Sequence, residues 1–289
     1  MVFYHVKTYI FMKSSSELGT FIRKSAVSKA FLYFSYVILV LFTAISLFIY
    51  FKAIIPVTEG TLNFSGDVSI LYYCIVFIMA LALIIFSIAV YLSKGSVFYL
   101  YQNAIVIDNK GSKETLYFKD IQDVYLFTSG KRIFDINNIA VRKNSTAPWH
   151  PISARYSDIY KVIAFIRSTH RSVNVPILLK KLEEGESVTF TYVDFKDLAM
   201  KQFMAINTNS YLNIKTKTMS LFQDKLIIDS QVIYFKEIHH FSITDLTNQI
   251  QLINSDDETV FKKSYNSVFS GDTFTALLDE LINNNKFRN

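Results

Sequence analysis

The sequence predicts an α+β membrane protein: a two-helix transmembrane hairpin, then two antiparallel β-units in tandem, each a sheet or barrel capped by its own C-terminal helix. Three observations predict it. Two charge-free apolar runs lie in the first third of the chain, a residue string recurs 121 positions later, and each copy closes on an amphipathic helix. Composition agrees, since 51% of the 289 residues are apolar and 19% are charged, against about 25% charged in soluble domains. A disordered chain, a secreted disulfide scaffold and a purely soluble enzyme are thereby excluded.

The first run is Ala30 to Phe51 and the second is Ile70 to Leu92. At about 1.5 Å rise per residue they reach about 33 and 34 Å, enough for a hydrocarbon core of about 30 Å. Buried helices of soluble proteins keep a polar stripe, and Phe31, Tyr33, Phe34, Val37, Ile38, Leu41, Ile45 and Phe48 leave none in the first run. It is not a cleaved leader, because no small-x-small site follows and a second span comes soon after. Small residues Ala80, Ala82, Ser87 and Ala89 offer a helix-packing surface. Residues 1–29 carry a net +4 and the loop after the first run a net −1. The positive-inside rule then places both termini in the cytoplasm of a multi-pass plasma-membrane protein. The tail from Lys94 is nearly balanced, with 24 basic and 21 acidic residues, which excludes a nucleic-acid footprint.

Leu100 to Asp108 recurs as Leu221 to Asp229, and Tyr117-Phe118-Lys119-Asp120-Ile121 recurs as Tyr234-Phe235-Lys236-Glu237-Ile238, so the offset falls from 121 to 117. The four lost residues are expected in the hairpin loop, where Asn109 to Glu114 faces only Ser230-Gln231. Strands are expected at Val124–Phe127, Ile133–Ile136 and Ile139–Val141, and again at Phe241–Ile243, Ile250–Ile253 and Thr259–Lys262. Ile159, Val162, Ile163 and Ile166, and likewise Phe274, Leu277, Leu278 and Leu281, share one helical face. Ser157 and Asp272 are the expected caps. Val175-Pro176 and Lys180 to Glu186 read as a linker. The resulting layout is a segment 1–29, the hairpin 30–93, and domains at 94–175 and 176–289.

A longer parallel is also predicted. A strand at Ser187–Val193 and a helix at Asp194–Ile206 match a strand at Val2–Phe11 and a helix at Ser15–Lys29, so the hairpin would be an insertion into one copy only.

An apolar-polar strand ending in Asp, a polar loop, a strand carrying aromatic-Lys-acid-Ile, further strands and a terminal helix resemble the bacterial pleckstrin-homology-like (PH-like) domains. Membrane proteins of the YcxB-like type share the two-helix hairpin ahead of such domains. The resemblance covers Tyr99 to Arg171 and Ser220 to Asn285 and implies a binding or scaffolding module. It carries no functional residue across.

Motifs for hydrolases, kinases, dinucleotide enzymes and metal sites are missing, and eight glycines leave little scope for phosphate loops. His239-His240 point to opposite faces in a strand, one to solvent and one to the core, and so cannot share a metal. His150, beside Trp149, reads as a loop or interface residue, Asp256-Asp257-Glu258 as a solvated turn, and Cys74 as a packing residue. No catalytic residue, metal or cofactor is expected. Lys110, Lys113, Lys131 and Arg132, in hairpin turns of the first copy, are candidates for anionic lipid headgroups.

The expected function is a non-catalytic, membrane-anchored scaffold that binds an unidentified protein partner, assembling or regulating an envelope complex or giving immunity against a membrane-active toxin. Lipids enter as partners of the two spans, and self-association stays open. The alternative is an anionic-lipid-binding or membrane-sensing protein; an uncharacterised membrane enzyme is the least favoured reading.

Overall fold

A computed structural model describes residues 17–128, 136–194, 212–244 and 248–283. The protein is α+β and forms two compact units, Ala26–Val97 and the chain on either side of it. Two helical segments, Ala30–Thr58 and Ser69–Leu92, are long and apolar enough to span a membrane.

In the helical unit, α1 (Ala30–Ile49) continues through a π-helical turn, Tyr50–Ile54, into a last turn, Ile55–Thr58. Pro56 explains the widening. Its ring has no N–H and would strike the carbonyl four residues back, and the wider turn instead lets Ile55 donate to the Tyr50 carbonyl. Helix α2 is Ser69–Leu92. Ser35 and Ser46 of α1 and Ala82 and Ala89 of α2 are the buried residues of these two helices. Side chains this small let two backbones approach closely. Of the four small residues in the predicted packing surface, Ala80 and Ser87 are exposed.

The other unit is built from the same order of elements twice. Strands β1 (Phe21–Ser25), β2 (Val97–Tyr101), β3 (Ala104–Asn109) and β4 (Ser112–Tyr117) form one antiparallel sheet in chain order. A 3₁₀ turn, Phe118–Asp120, leads to a second sheet of β5 (Asp123–Phe127), β6 (Asn138–Arg142) and β7 (His150–Ile152), followed by α3 (Ile159–Glu183). The second half repeats this with β8 (Val188–Val193), β9 (Thr216–Leu221), β10 (Lys225–Ile228) and β11 (Gln231–Tyr234). The turn Phe235–Glu237, strands β12 (Ile238–Thr244), β13 (Gln249–Asn254) and β14 (Thr259–Ser264), and helix α4 (Gly271–Ile282) complete it. Alternation places Phe98 and Leu100 of β2 and Leu226 and Ile228 of β10 in the core.

Several expectations are corrected. The described part of the expected helix Ser15–Lys29 is helical only at Glu17-Leu18: Gly19 has φ +74, and a Cβ there would lie 2.9 Å from Gln102 Cβ, so no helix continues into β1. Strand β1 then pairs with β2, and Phe21 stacks edge-on against Tyr101 at 5.5 Å. Its counterpart by sheet position is β8, and the expected strand Val2–Phe11 lies outside the described residues, as does most of Asp194–Ile206. The expected linker is the end of α3, which runs through Pro176 because Asn174 and Leu182 are buried on both sides of it. The boundary predicted at 175/176 therefore falls inside a helix. The helices start after Asp158 and Ser270, both left-handed with φ 53, and neither Ser157 nor Asp272 caps them.

The four lost residues are not in the loop either. Both hairpins turn on two residues with positive φ, Lys110-Gly111 and Asp229-Ser230, the geometry that suits the strand twist. Ala104 pairs with Tyr117, whereas Lys225 pairs with Tyr234, so each strand of the second hairpin is two residues shorter.

Because Ser25 and Phe98 are neighbours across the β1–β2 ladder, a short turn can replace everything between them. Joining Ser25 to Phe98 through Asn-Gly is expected to give a soluble, cooperatively melting protein. A fragment starting at Lys94, which lacks β1, should melt about 10 °C lower or fail to fold. Circular dichroism melts of the two proteins check this.

Candidate binding surface

The predicted basic residues do not gather into one site. Lys110 sits at the tip of the β3–β4 turn, where Asp108 Oδ1 accepts the Gly111 N–H at 2.8 Å. Lys113 is not in the loop but in β4, opposite Asp108, and Lys131 and Arg132 lie outside the described residues. His239 and His240 are both exposed, against the expectation of one buried, because the ladder slips between Ile238 and His240. Among the described residues no group of three His, Cys, Asp or Glu is placed to hold a metal ion. The acidic triplet is a turn tip, where Asn254 Oδ1 accepts the N–H groups of Asp256 and Glu258.

The chemistry instead concentrates where the two halves meet. Segment Val268–Ser270 runs between two sheet edges. On one side Phe269 donates its N–H to the Thr191 carbonyl of β8 at 2.9 Å. On the other, Ser270 donates its N–H to the Val124 carbonyl of β5 at 2.7 Å, and its hydroxyl accepts the Val124 N–H and donates to the Gln122 carbonyl. This stitch explains why β5 is buried along its whole length. Strand alternation turns Tyr125 and Phe127 to the side of β5 opposite Val124, and there they pack with Ala140, Val193 and Phe269. Tyr125 stacks on Phe127 at 5.2 Å and meets Phe269 at 4.8 Å, while Trp149 stands edge-on to Phe269 at 5.3 Å.

Beneath this cluster lies a buried ion pair. Arg142 bonds Asp123 at 2.6 and 2.7 Å and holds its guanidinium 4.3 Å from the Trp149 ring centre. Burial pushes the Asp123 carboxyl up from its usual range, and Arg142 pulls it back only in part. Helices α3 and α4 are tied by a second pair, in which Arg167 grips both carboxylate oxygens of Asp272 at 2.7 and 2.8 Å. Burial raises the Asp272 carboxyl, but bonds from Arg167 and Tyr265 outweigh it and hold it below the ordinary value.

His170 of α3 is buried with both ring nitrogens used. The Ile121 carbonyl, 3.0 Å from Nε2, can only accept, so Nε2 carries the proton and Nδ1 accepts from the Thr273 hydroxyl at 3.0 Å. Burial lowers its pKa, against the opposing pull of Ile121 and Asp272. One turn on, Asn174 donates to the Phe118 and His170 carbonyls.

Beside these groups opens a cleft of about 310 Å³, lined by Lys119 and Gln122, by His170, Asn174 and Lys181 of α3, and by Val188–Phe190 of β8. Strand β8 is the outer strand of its sheet. Since the Thr191 carbonyl points away from β9 to Phe269, Thr189, two residues back, turns its N–H and C=O the same way, into the cleft. The arrangement can accept an extended backbone between β8 and α3, flanked by two lysines.

Sequence reasoning missed His170, Asn174 and Arg167 altogether. All three lie on α3, and the partners that give them their roles are 49 to 105 positions away, so no local motif marks them.

A family model described as a family of unknown function (DUF6585) matches residues 11–198. The chain belongs to that family. The DUF6585 match takes in the first half, the helical hairpin and β8. A comparison with curated proteins finds no match.

Two stability predictions test the junction. Arg142→Met, which leaves Asp123 buried without its partner, is expected to cost about 3–5 kcal/mol, and the double variant Asp123→Asn/Arg142→Met should regain much of it, by urea melts. For His170 the folded pKa lies below the unfolded 6.5, so protons bind the unfolded chain first. Its contribution is complete above pH about 6.5 and falls as pH drops below that. His170→Gln should flatten the decline in melting temperature between pH 6.5 and 5.

Proposed function

We propose that this DUF6585 protein is a non-catalytic binding and scaffold module, anchored in the plasma membrane by its helical hairpin with both termini in the cytoplasm. In this reading its two halves are tandem PH-like domains. The order of a four-stranded meander, a 3₁₀ turn, a three-stranded meander and a closing helix, present twice, supports the PH-like reading. The positive charge before the first apolar helix supports the orientation.

The observation that carries the binding role is the open Val188–Phe190 end of β8 in the junction cleft. The ionisable groups at the junction, buried Asp123, Arg142 and His170 and half-buried Asp272, bond to one another or to neighbouring backbone and side chains, which leaves them structural work rather than chemistry. A partner protein supplying an extended segment would complete the sheet there. Its assembly or regulation at the envelope, or neutralisation of a membrane-active toxin, is the role this supports.

A photo-crosslinking amino acid at Thr189 of the full chain, irradiated in native membranes, is expected to give one discrete protein adduct that weakens with Lys181→Glu. The same probe at exposed Glu184 should give none. Absence of an adduct at Thr189 would remove the binding reading.

The exposed Lys110 at a turn tip favours a second reading, contact with anionic lipid. Slower amide exchange at Gly111 in nanodiscs of anionic lipid than in neutral ones, abolished by Lys110→Ala and Lys113→Ala, is the result it requires.

A further inference from the structure

The junction between the halves is one-sided. The first half receives through the outer edge of β5 and through α3, and the second half gives through Val268–Ser270 and the first turn of α4. If the halves are equivalent domains, as proposed above, each molecule owns one further receiving edge and one further giving segment.

The receiving edge is β12. The offset of 117 that relates the two 3₁₀ turns places Phe241 and Ile243 where Val124 and Leu126 stand. Among the described strands, β12 pairs with β13 alone. The Thr244 carbonyl accepts the Asn248 N–H inside that hairpin, so Thr244 and Ser242 face β13, and Phe241 and Ile243 turn their backbone groups outward. Ile243 is 39% exposed, whereas Leu126 is 6% exposed under its cover. Phe241-Ser242-Ile243 carries no charge, Pro or bulge to protect the edge.

The giving segment is Tyr156 to Lys161. Asp158 and Ser270 are the matching residues before the two helices, each with φ 53. The side chains of Asp158 and Lys161 are 53% and 68% exposed, and Tyr160 is 52% exposed. Arg23 holds Asp158 Oδ2 at 2.6 Å, leaving Oδ1 as an acceptor with only Lys161 near it, at 3.7 Å.

We infer that the β12 edge is the docking site for the Tyr156–Lys161 segment of a second copy of this chain, in a head-to-tail contact that repeats the internal junction. Asp158 gives its N–H to the Phe241 carbonyl and takes the Phe241 N–H on its carboxylate, as Ser270 does with Val124. The helix register places an opposite-charge pair at this contact as well, with the signs exchanged. The offset of 112 between Asp158 and Ser270 puts Asp279 in the place of Arg167, and Tyr160 and Lys161 in the places of Asp272 and Thr273. Asp279 is exposed, so an acid on the receiving side faces the base Lys161 on the giving side, the reverse of the internal pair of Arg167 with Asp272. Such a contact uses different surfaces on the two copies and extends into a ring or a row.

The test uses the full chain in detergent with Cys74, the one cysteine, replaced as Cys74→Ala. Asp158→Cys and Phe241→Cys variants are expected to form a disulfide-linked dimer when mixed under mild oxidation, and not when either is oxidised alone. No heterodimer in the mixture, or equal dimers in each separate sample, overturns the proposal. Asp279→Lys should weaken association by about two- to fivefold, the range of an exposed ion pair, and Lys161→Glu should restore it; association unchanged by Asp279→Lys also overturns it. A photoprobe at Ile243 that labels a different protein and not this chain assigns the edge to another occupant and overturns it too. Val124→Cys with Ser270→Cys in one chain is the control. If that internal link fails, the equivalence of the halves is at fault; if it forms and the intermolecular link does not, only the head-to-tail contact is.

Discussion

The outer face of the β5–β6 sheet has to be covered, and the rest of the sheet unit is arranged to cover it. Tyr125 and Phe127 project from that face as two adjacent rings, and each such side chain left in water would forfeit about 1.5–3 kcal/mol. The second half supplies the cover through Phe269 and Val193. Its approach is set by the Val268–Ser270 segment, which satisfies backbone groups of β5 and β8 at once. The two halves of the sheet unit thus share this core, which draws residues from both.

That shared core is laced with polar groups whose placement is specific. An aromatic patch alone would tolerate sliding, whereas Arg167 must meet Asp272 with both arms, and His170, held by the Ile121 carbonyl of its own half, must find the Thr273 hydroxyl of the other. Displacing any of these leaves a buried charge or donor unpaired, which costs more than the bond itself contributes. The junction therefore has one register. The cleft beside it inherits a fixed shape, because its walls are the same α3 and β8 that the lacing holds.

The local pattern carried much of the fold and little of the junction. Apolar alternation and turn residues marked β5, β6 and β12 to β14, and i, i+3, i+4 spacing marked α3 and α4, because those signals are written in neighbouring residues. Strand β1 was hidden, since Ile22-Arg23-Lys24 has no alternation of its own and becomes a strand by pairing with β2. Helix α3 was cut short at Pro176, where local preference argues for an end and packing of Leu182 argues against it. Sequence shows the four-residue difference between hairpins only as a deletion beside polar turn residues, whereas the ladder shows that both strands shortened around an unchanged two-residue turn.

By itself the sequence determined the two apolar helices, the recurrence of Leu100–Asp108 as Leu221–Asp229, and the closing helix of each copy, because periodicity and charge-free length act within one segment. Only the tertiary structure decided that β1 pairs with β2 despite the long stretch of chain between them, that Ser270 closes the edge of β5, and that His170, Arg167 and Asn174 find distant partners. Those outcomes depend on partners far away along the chain, and a side chain's environment is a property of what folds against it.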